Sequence, residues 1–312
     1  MIQVRWLMLV ALLSCAGCAT VPYHFGKDTD YVHGLKLAPN EPQITYGTPY
    51  RFLDASGWIC PNSLFAKLIL WNYKMDSHHI STQTVAAVQQ FLADNELRDV
   101  KVRINDYCVG AEFQRTIRNK AIAPGWRFTF GLFGWLGYTI MPGRFFGGDN
   151  YNPYSNTINL YSDLIPVGLH ESGHSKDFAQ RTYKGTYAFM YSVLPGFNLY
   201  PEAKASTEAL SYLRAKGDSA QSKAAYKILY PAYGTYIGGN ASQWVAVPWN
   251  YVVQAGAVIP AILWDGSKPP AFPTTWPRNR RRNRRRRLLR LCSSELRCRI
   301  PPGAGVHRRT CR

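Results

Sequence analysis

Residues 156–174 read NTINLYSDLIPVGLHESGH, and this stretch decides which fold we expect for the chain. Its first six residues alternate between polar and apolar side chains, which predicts a β-strand. Pro166 then favours the first turn of a helix, where a missing backbone N–H costs nothing. On that helix His170 and His174 lie four residues apart, so both imidazoles project from one face.

The HESGH sequence at residues 170–174 has the ligand spacing of a helical zinc site. Histidines at this spacing can hold one Zn²⁺ ion with their Nε2 atoms at about 2.0–2.1 Å without bending the helix. Glu171 points towards the open coordination position, where it can accept a proton from the zinc-bound water and pass it to the leaving amine. Gly173 has no side chain and is expected to leave room beside the metal. We therefore predict Zn²⁺ as cofactor, His170 and His174 as ligands and Glu171 as catalytic base.

Residues 156–174, together with YPEAKASTEAL at residues 200–210, resemble the gluzincin-type zinc metallopeptidases. The resemblance implies an α+β, zincin-like fold, with the active-site helix beside a small mixed or antiparallel sheet. In that family the strand beside the helix binds the substrate backbone, and a second helix supplies the third metal ligand. The match falls on Glu202. Where the family often has an aspartate that orients a ligand histidine, this chain has Ser206, a weaker hydrogen-bonding partner.

Two other acidic residues remain open as the third ligand. Glu208 lies six residues after Glu202 and points about 120° away from it on a helix, so both cannot serve. Asp177 follows His174 by three residues on the same helical face. We expect Asp177 to hydrogen-bond a ligand or to pair with a lysine or arginine rather than to bind the metal directly.

The hydrolysis of a peptide bond also needs a hydrogen-bond donor for the tetrahedral oxyanion. Tyr187, Tyr191 and Tyr200 lie between the two predicted ligand helices and are candidates. The chain has twenty tyrosines, so core packing is the other role open to each of these three.

Residues 1–18 are predicted to be a bacterial lipoprotein signal peptide. Arg5 precedes a short apolar stretch at residues 7–13, which cannot span a bilayer because a spanning helix needs about 20 residues. Cys18 is the predicted lipidation site, with Cys15 as the alternative; an ordinary signal peptide with incidental cysteines is the third interpretation. Since alanine follows either cysteine, we expect an outer-membrane lipoprotein of the cell envelope that faces the periplasm.

The net charge of +18 belongs mainly to the C-terminal end of the chain. Residues 277–312 contain fourteen arginines and one glutamate, which leaves only +5 for everything upstream. Residues 19–276 are therefore predicted as the zincin-like metallopeptidase domain. The arginine-rich segment is predicted to be disordered. It either binds nucleic acid or anionic lipid, or is an out-of-frame translation of a GC-rich gene. We prefer the second interpretation, because an exported enzyme rarely meets nucleic acid, and expect no nucleic-acid partner.

Several elements outside the metal motif are also predicted. Helices are expected over residues 61–73 and from Ser81 onwards, followed by a half-buried strand at residues 99–104. The apolar residues 128–142 are too few for a transmembrane helix, and we expect a buried segment rather than one that dips into a membrane interface. Cys60 and Cys108 are a possible disulfide pair, with two buried thiols as the alternative.

The function predicted from these features is zinc-dependent hydrolysis of peptide bonds by a membrane-anchored envelope protein acting on a polypeptide substrate. The alternative is a catalytically inactive zinc-binding lipoprotein that serves as an envelope adaptor. Ser206, in the place of an orienting aspartate, is the residue that keeps this alternative open.

Overall fold

The computed structural model of the chain describes residues 23–26, 35–243 and 249–263. The predicted signal peptide with Cys15 and Cys18 lies outside these residues, as does the arginine-rich segment 277–312. The described part is mostly helical and contains a small mixed sheet, so it has the α+β class predicted from the sequence. None of its helices combines the length and the apolar character needed to cross a membrane.

The helices are numbered along the chain. The described residues form α1 (Arg51–Ile59), α2 (Pro61–Leu70), α3 (Thr82–Asp94), α4 (Val109–Arg118), α5 (Pro124–Phe128), α6 (Phe130–Ile140), α7 (Gly143–Phe146), α8 (Ile165–Ala179), α9 (Lys184–Val193), α10 (Leu199–Ala215), α11 (Ser219–Ser242) and α12 (Trp249–Ile262). The predicted helices at residues 61–73 and from Ser81 onwards are α2 and α3, and the HESGH sequence lies on α8.

The sheet has the strand order β1 (Ile44–Tyr46), β2 (Lys101–Ile104), β4 (Thr157–Leu160), β3 (Asn150–Asn152). Strands β1, β2 and β4 are parallel to one another, whereas β3 is antiparallel to β4. The strand predicted before the HESGH helix is β4, and it is hydrogen-bonded on both sides. The outer edge of the sheet on this side is therefore formed by β3, not by β4.

Strand β2 is buried on both faces, which corrects the half-buried strand predicted at residues 99–104. The polar side chains of Lys101 and Arg103 are as inaccessible as their apolar neighbours. Arg103 Nη1 lies 3.1 Å from Glu112 Oε2 on α4, and Lys101 Nζ lies 3.7 Å from Glu41 Oε1. The alternation in the sequence separates the two faces, but it cannot show that acidic residues from elsewhere in the chain cover the polar one.

Helix α3 begins at the predicted cap and presents the predicted apolar face. Ser81 Oγ accepts a hydrogen bond from the backbone N–H of Thr84. Asp163 in turn accepts hydrogen bonds from the hydroxyls of Ser81 and Thr84, at 2.6 and 2.7 Å, and forms an ion pair with Lys74 at 2.9 Å. The predicted apolar residues of α3 are all buried in the core: Val85, Val88, Phe91 and Leu92.

Helix α8 lies at the centre of the fold, packed against α3, α10, α11 and the strands β3 and β4. Every residue from Pro166 to Ala179 is buried. A helix surrounded on all sides is normally apolar all round. This one instead buries two histidines and several charged side chains, and such burial is costly unless each group has a partner.

The apolar stretch at residues 128–142 is not buried, and the burial predicted for it is wrong. Most of it forms α6, in which Gly131 is the buried residue. Phe133 is 68% exposed and Ile140 is 64% exposed. The apolar composition of a segment does not decide whether the remaining chain covers it.

The disulfide predicted between Cys60 and Cys108 is absent, since both thiols are free. Cys60 is half-buried, and its Sγ lies 3.5 Å from the backbone oxygen of Phe146. Cys108 is exposed at the residue before α4. Hence the alternative of two buried thiols is also wrong for Cys108.

Candidate metal centre

Three predicted ligand side chains converge between α8 and α10. His170 Nε2 lies 3.0 Å from Glu202 Oε2, and the Nε2 atoms of His170 and His174 are 3.1 Å apart. His174 Nε2 lies 3.5 Å from Glu202 Oε1. All three side chains are buried and can each offer one ligand atom to a common point.

The closeness of α8 and α10 depends on Gly173. A Cβ atom at this position would lie 2.8 Å from the backbone oxygen of Ala205 and 3.1 Å from its Cα. Gly173 therefore permits the backbones of the two helices to touch, and so brings Glu202 to the histidines. The prediction that Gly173 makes room for the metal itself is replaced by this packing role.

The donor set fits a divalent cation better than it fits hydrogen bonding alone. An imidazole nitrogen carries either a hydrogen or a lone pair, so His170 Nε2 cannot serve both Glu202 and His174 with one hydrogen. A cation between the three side chains would accept a lone pair from each. Tetrahedral zinc ligands are roughly 3.3 Å apart, and the observed separations of 3.0, 3.1 and 3.5 Å bracket that spacing.

The groups that orient the two histidines are unequal. Ser206 Oγ lies 3.1 Å from Nδ1 of His170, so Ser206 does occupy the place of the orienting aspartate. Nδ1 of His174 is buried and has no hydrogen-bond partner among the described residues. The orientation of His174 therefore depends on packing, including the ring of Tyr191, whose centroid is 5.9 Å away.

Two tyrosines lie beside Glu202. The Tyr191 hydroxyl donates to Glu202 Oε1, and the Tyr236 side chain on α11 lies close enough to feel the charge of the same carboxylate. Burial and the nearby Glu202 charge raise the pKa of Tyr191 well above its usual value; the Glu202 charge, followed by burial, does the same for Tyr236. Both tyrosines are therefore held neutral, as hydrogen-bond donors.

Sequence reasoning missed Tyr236, because no spacing relates α11 to the metal motif. Of the three tyrosines predicted as donors, Tyr191 contacts the cluster through Glu202. The Tyr187 hydroxyl donates to Asp177 Oδ2 at 2.7 Å, and Tyr200 contacts Arg181.

Glu171 lies beside the histidines and faces a cavity. Its burial raises its pKa to about 8; the nearby His170 opposes this, and the carboxylates of Glu202 and Asp149 add to it. The backbone N–H of Tyr151, on the edge strand β3, donates to its carboxylate. A cation bound by the neighbouring ligands would counter these effects and favour the ionised form of Glu171.

The two alternative third ligands have other partners. Glu208 Oε2 lies 2.9 Å from Nζ of Lys176. Asp177 Oδ1 is 2.6 Å from Arg181 Nη2, and Lys204 also pairs with that oxygen. Neither acid belongs to the cluster, whereas Glu202 does.

A cavity of about 380 Å³ opens beside His170 and Glu171. Helices α2 and α11 line most of it with apolar side chains such as Ile69, Leu70 and Ile228. Its volume lies in the range of small-ligand sites, and the metal-ligand residue His170 and the candidate base Glu171 are among the residues that line it. The cavity can accept an apolar group next to Glu171.

The strand available for a bound peptide also differs from the one expected. The resemblance points to residues 156–161, but β4 is paired with β2 on one side and β3 on the other. The outer edge next to α8 is that of β3, which is linked to Glu171 through Tyr151.

No protein-family model matches this chain, and no curated protein or solved structure matches it either.

Proposed function

We propose that this protein is a zinc-dependent peptidase of the gluzincin type, with His170, His174 and Glu202 as metal ligands and Glu171 as the catalytic base. The observation that carries the proposal is the convergence of these three buried ligands beside Glu171 and an apolar cavity. The helix α8, the small mixed sheet and the second ligand helix α10 are the parts of a zincin-like fold that support it.

When bound, Zn²⁺ would polarise the scissile carbonyl and make the attacking water acidic enough to lose a proton at neutral pH. Glu171 takes that proton and delivers it to the leaving amine. Tyr191 and Tyr236 lie beside the ligand Glu202, and either hydroxyl can stabilise the developing oxyanion by turning its single hydrogen from Glu202 towards it. The edge of β3 binds the substrate backbone in an extended conformation, and the cavity holds an apolar side chain beside the scissile bond.

The proposal is tested by replacing Glu171 with glutamine. We expect Glu171→Gln to retain zinc at the parental stoichiometry, because the ligands are unchanged, and to cleave casein at least about 100-fold more slowly. Glu208→Gln is the matched control, since Glu208 pairs with Lys176 outside the cluster. Unchanged cleavage by Glu171→Gln, measured with metal content on the same samples, would contradict the assigned base.

A catalytically inactive zinc-binding adaptor is the second candidate. Two features favour it: His174 Nδ1 has no hydrogen-bond partner within the described ranges, and Ser206 offers a neutral hydroxyl where a carboxylate would orient a ligand more firmly. Equimolar zinc in the purified protein, without cleavage of casein or unfolded envelope proteins, would select this function over hydrolysis.

We also propose that lipid attached to Cys18 anchors the protein in the outer membrane, facing the periplasm. Labelling with palmitate tests this, and the variants Cys18→Ala and Cys15→Ala separate the two candidate positions. Absence of label in the parent protein would remove the anchor.

A further inference from the structure

Helix α6 exposes a stripe of large apolar side chains. Phe133, Leu136 and Ile140 follow one another at three- and four-residue spacing, so they share one face of the helix. They are 68%, 43% and 64% exposed. The stripe is extended by Phe128 before the helix and Met141 after it, at 50% and 59% exposed. Contiguous exposed apolar surface of this kind marks an interaction site.

The opposite face of α6 is held to the body of the protein. Trp135 Nε1 donates to the backbone oxygen of Val109 at 3.0 Å, and its ring packs against Phe113 of α4. The hydroxyl of Tyr138 accepts from the backbone N–H of Cys108 at 3.0 Å. The stripe is therefore presented outward by a helix that is anchored on its inner side.

The segment that carries the stripe is basic in sequence. No aspartate or glutamate occurs between Glu112 and Asp149 in the sequence, whereas this interval has five arginines and lysines. Arg118, the last residue of α4, and Lys120 just after it are exposed, and the last turn of α4 packs on the start of α6 through Thr116 and Gly131.

One further cation lies at the end of the stripe. The Arg127 guanidinium lies over the ring of Phe128, 4.8 Å from its centroid. The residue is 9% exposed, and its Nε has no hydrogen-bond partner among the described residues. The charge of Arg127 therefore adds to the positive charge of this segment.

We infer that the α6 stripe, defined as Phe128, Phe133, Leu136, Ile140 and Met141, inserts into the interface of an anionic phospholipid bilayer. An apolar face bordered by arginine and lysine matches acyl chains below and anionic headgroups around it. With eleven residues α6 is too short to span a bilayer, so it lies in the plane of the interface. Self-association through this face would instead bring the like charges of two copies together. The inference does not depend on the proposed peptidase activity.

The test compares the full chain with variants in one background, Cys15→Ala with Cys18→Ala, so that lipidation contributes to none of them. Vesicles of phosphatidylglycerol and phosphatidylcholine in equal parts are compared with vesicles of phosphatidylcholine alone. The stripe variant is Phe133→Asp with Ile140→Asp. The matched control is Leu68→Asp with Ile259→Asp, which replaces side chains that are 67% and 52% exposed on α2 and α12.

We expect the stripe variant to bind the mixed vesicles at least about tenfold more weakly than its parent, and the control variant to bind unchanged. Arg118→Gln with Lys120→Gln should weaken binding to the mixed vesicles and leave binding to phosphatidylcholine unaltered. Hydrogen exchange on the parent should slow at residues 128–141 when vesicles are added, and not at residues 61–71.

Equal binding by parent and stripe variant would overturn the inference, as would an equal loss in the stripe and control variants. So would unaltered exchange at residues 128–141. If light scattering shows that the parent is a dimer and the stripe variant a monomer, with vesicle binding preserved, the stripe is a self-association surface instead. Circular dichroism and thermal unfolding establish that each variant is folded.

Discussion

Substituting alanine for Gly173 should damage the metal centre without touching any ligand. Gly173 lies on α8 one residue before His174, at the point where α8 meets the backbone of Ala205 on α10. The new Cβ would stand 2.8 Å from the Ala205 oxygen, short of ordinary van der Waals contact by about 0.6 Å. The obstructing atoms belong to backbone, so no side chain can rotate out of the way.

The magnitude follows from this overlap. Overpacking a close contact of this kind typically costs about 1–3 kcal/mol of folding free energy. A separation of α8 and α10 by several tenths of an ångström also exceeds the tolerance of roughly ±0.2 Å for metal–ligand distances. Because Glu202 moves with α10, we expect zinc affinity to fall at least about tenfold, a loss that comes on top of the cost in stability.

Urea unfolding followed by circular dichroism, with EDTA and with buffered free zinc, separates the two effects. The EDTA series gives the packing cost, and the increment produced by zinc gives the dissociation constant through mass action. Gly137→Ala on α6 is the matched control, because a Cβ there meets nothing within 4 Å. This helical glycine should be neutral or slightly stabilising when replaced.

The reasoning would be refuted if Gly173→Ala unfolded at the urea concentration of its parent in EDTA and gained as much stability from zinc. A lower free energy of unfolding in EDTA, with the stability gained from zinc unchanged, would have a different meaning. It would show that packing at Gly173 holds the helices together but that the ligand geometry does not depend on this contact. Equal losses in Gly173→Ala and Gly137→Ala would point to a general effect of alanine substitution.

Three further outcomes are expected. Glu202→Gln should abolish stoichiometric zinc binding while Glu208→Gln retains it, as measured by plasma mass spectrometry; the reverse pattern would reassign the third ligand. Glu112→Gln leaves Arg103 buried beside a neutral amide. The free energy of unfolding measured by urea titration should therefore fall by roughly 3–5 kcal/mol. A loss below about 1 kcal/mol would argue against the ion pair. Burial opposes ionisation of Asp163, but hydrogen bonds from the first turn of α3 outweigh it and hold its pKa well below the usual value. Its stabilising effect is present above the unfolded pKa of about 3.9 and is lost as pH falls through the folded value. On acidification Asp163→Asn should therefore lose less unfolding free energy than the parent. Parallel profiles of unfolding free energy against pH would contradict this.

The elements around the metal motif could be predicted because local geometry determines them. The four-residue spacing of His170 and His174 places both on one face of any α-helix, whatever surrounds it. The cap at Ser81 and the apolar face of α3 depend only on neighbours one helical turn away, and the structure confirms them.

The third member of the cluster illustrates the limit of that reasoning. Glu202 and Glu208 both lie on α10, and no local rule tells which of them reaches the two histidines of α8. The contact of Gly173 with Ala205 sets the position of α10, and the pairing of Glu208 with Lys176 takes the other acid away. Tyr236 reaches Glu202 from α11, a relation with no trace in sequence spacing.

By itself, then, the sequence determined the α+β class and the position of the two histidines and Glu171 on one helix, because hydrogen bonds and side-chain periodicity within a segment depend on that segment alone. Tertiary structure decided that Glu202 joins the histidines, that β3 rather than β4 forms the outer edge of the sheet beside α8, and that α6 exposes its apolar stripe. Each of these depends on contacts between residues far apart in the chain. The free energy of such contacts cannot be inferred from the sequence of one segment.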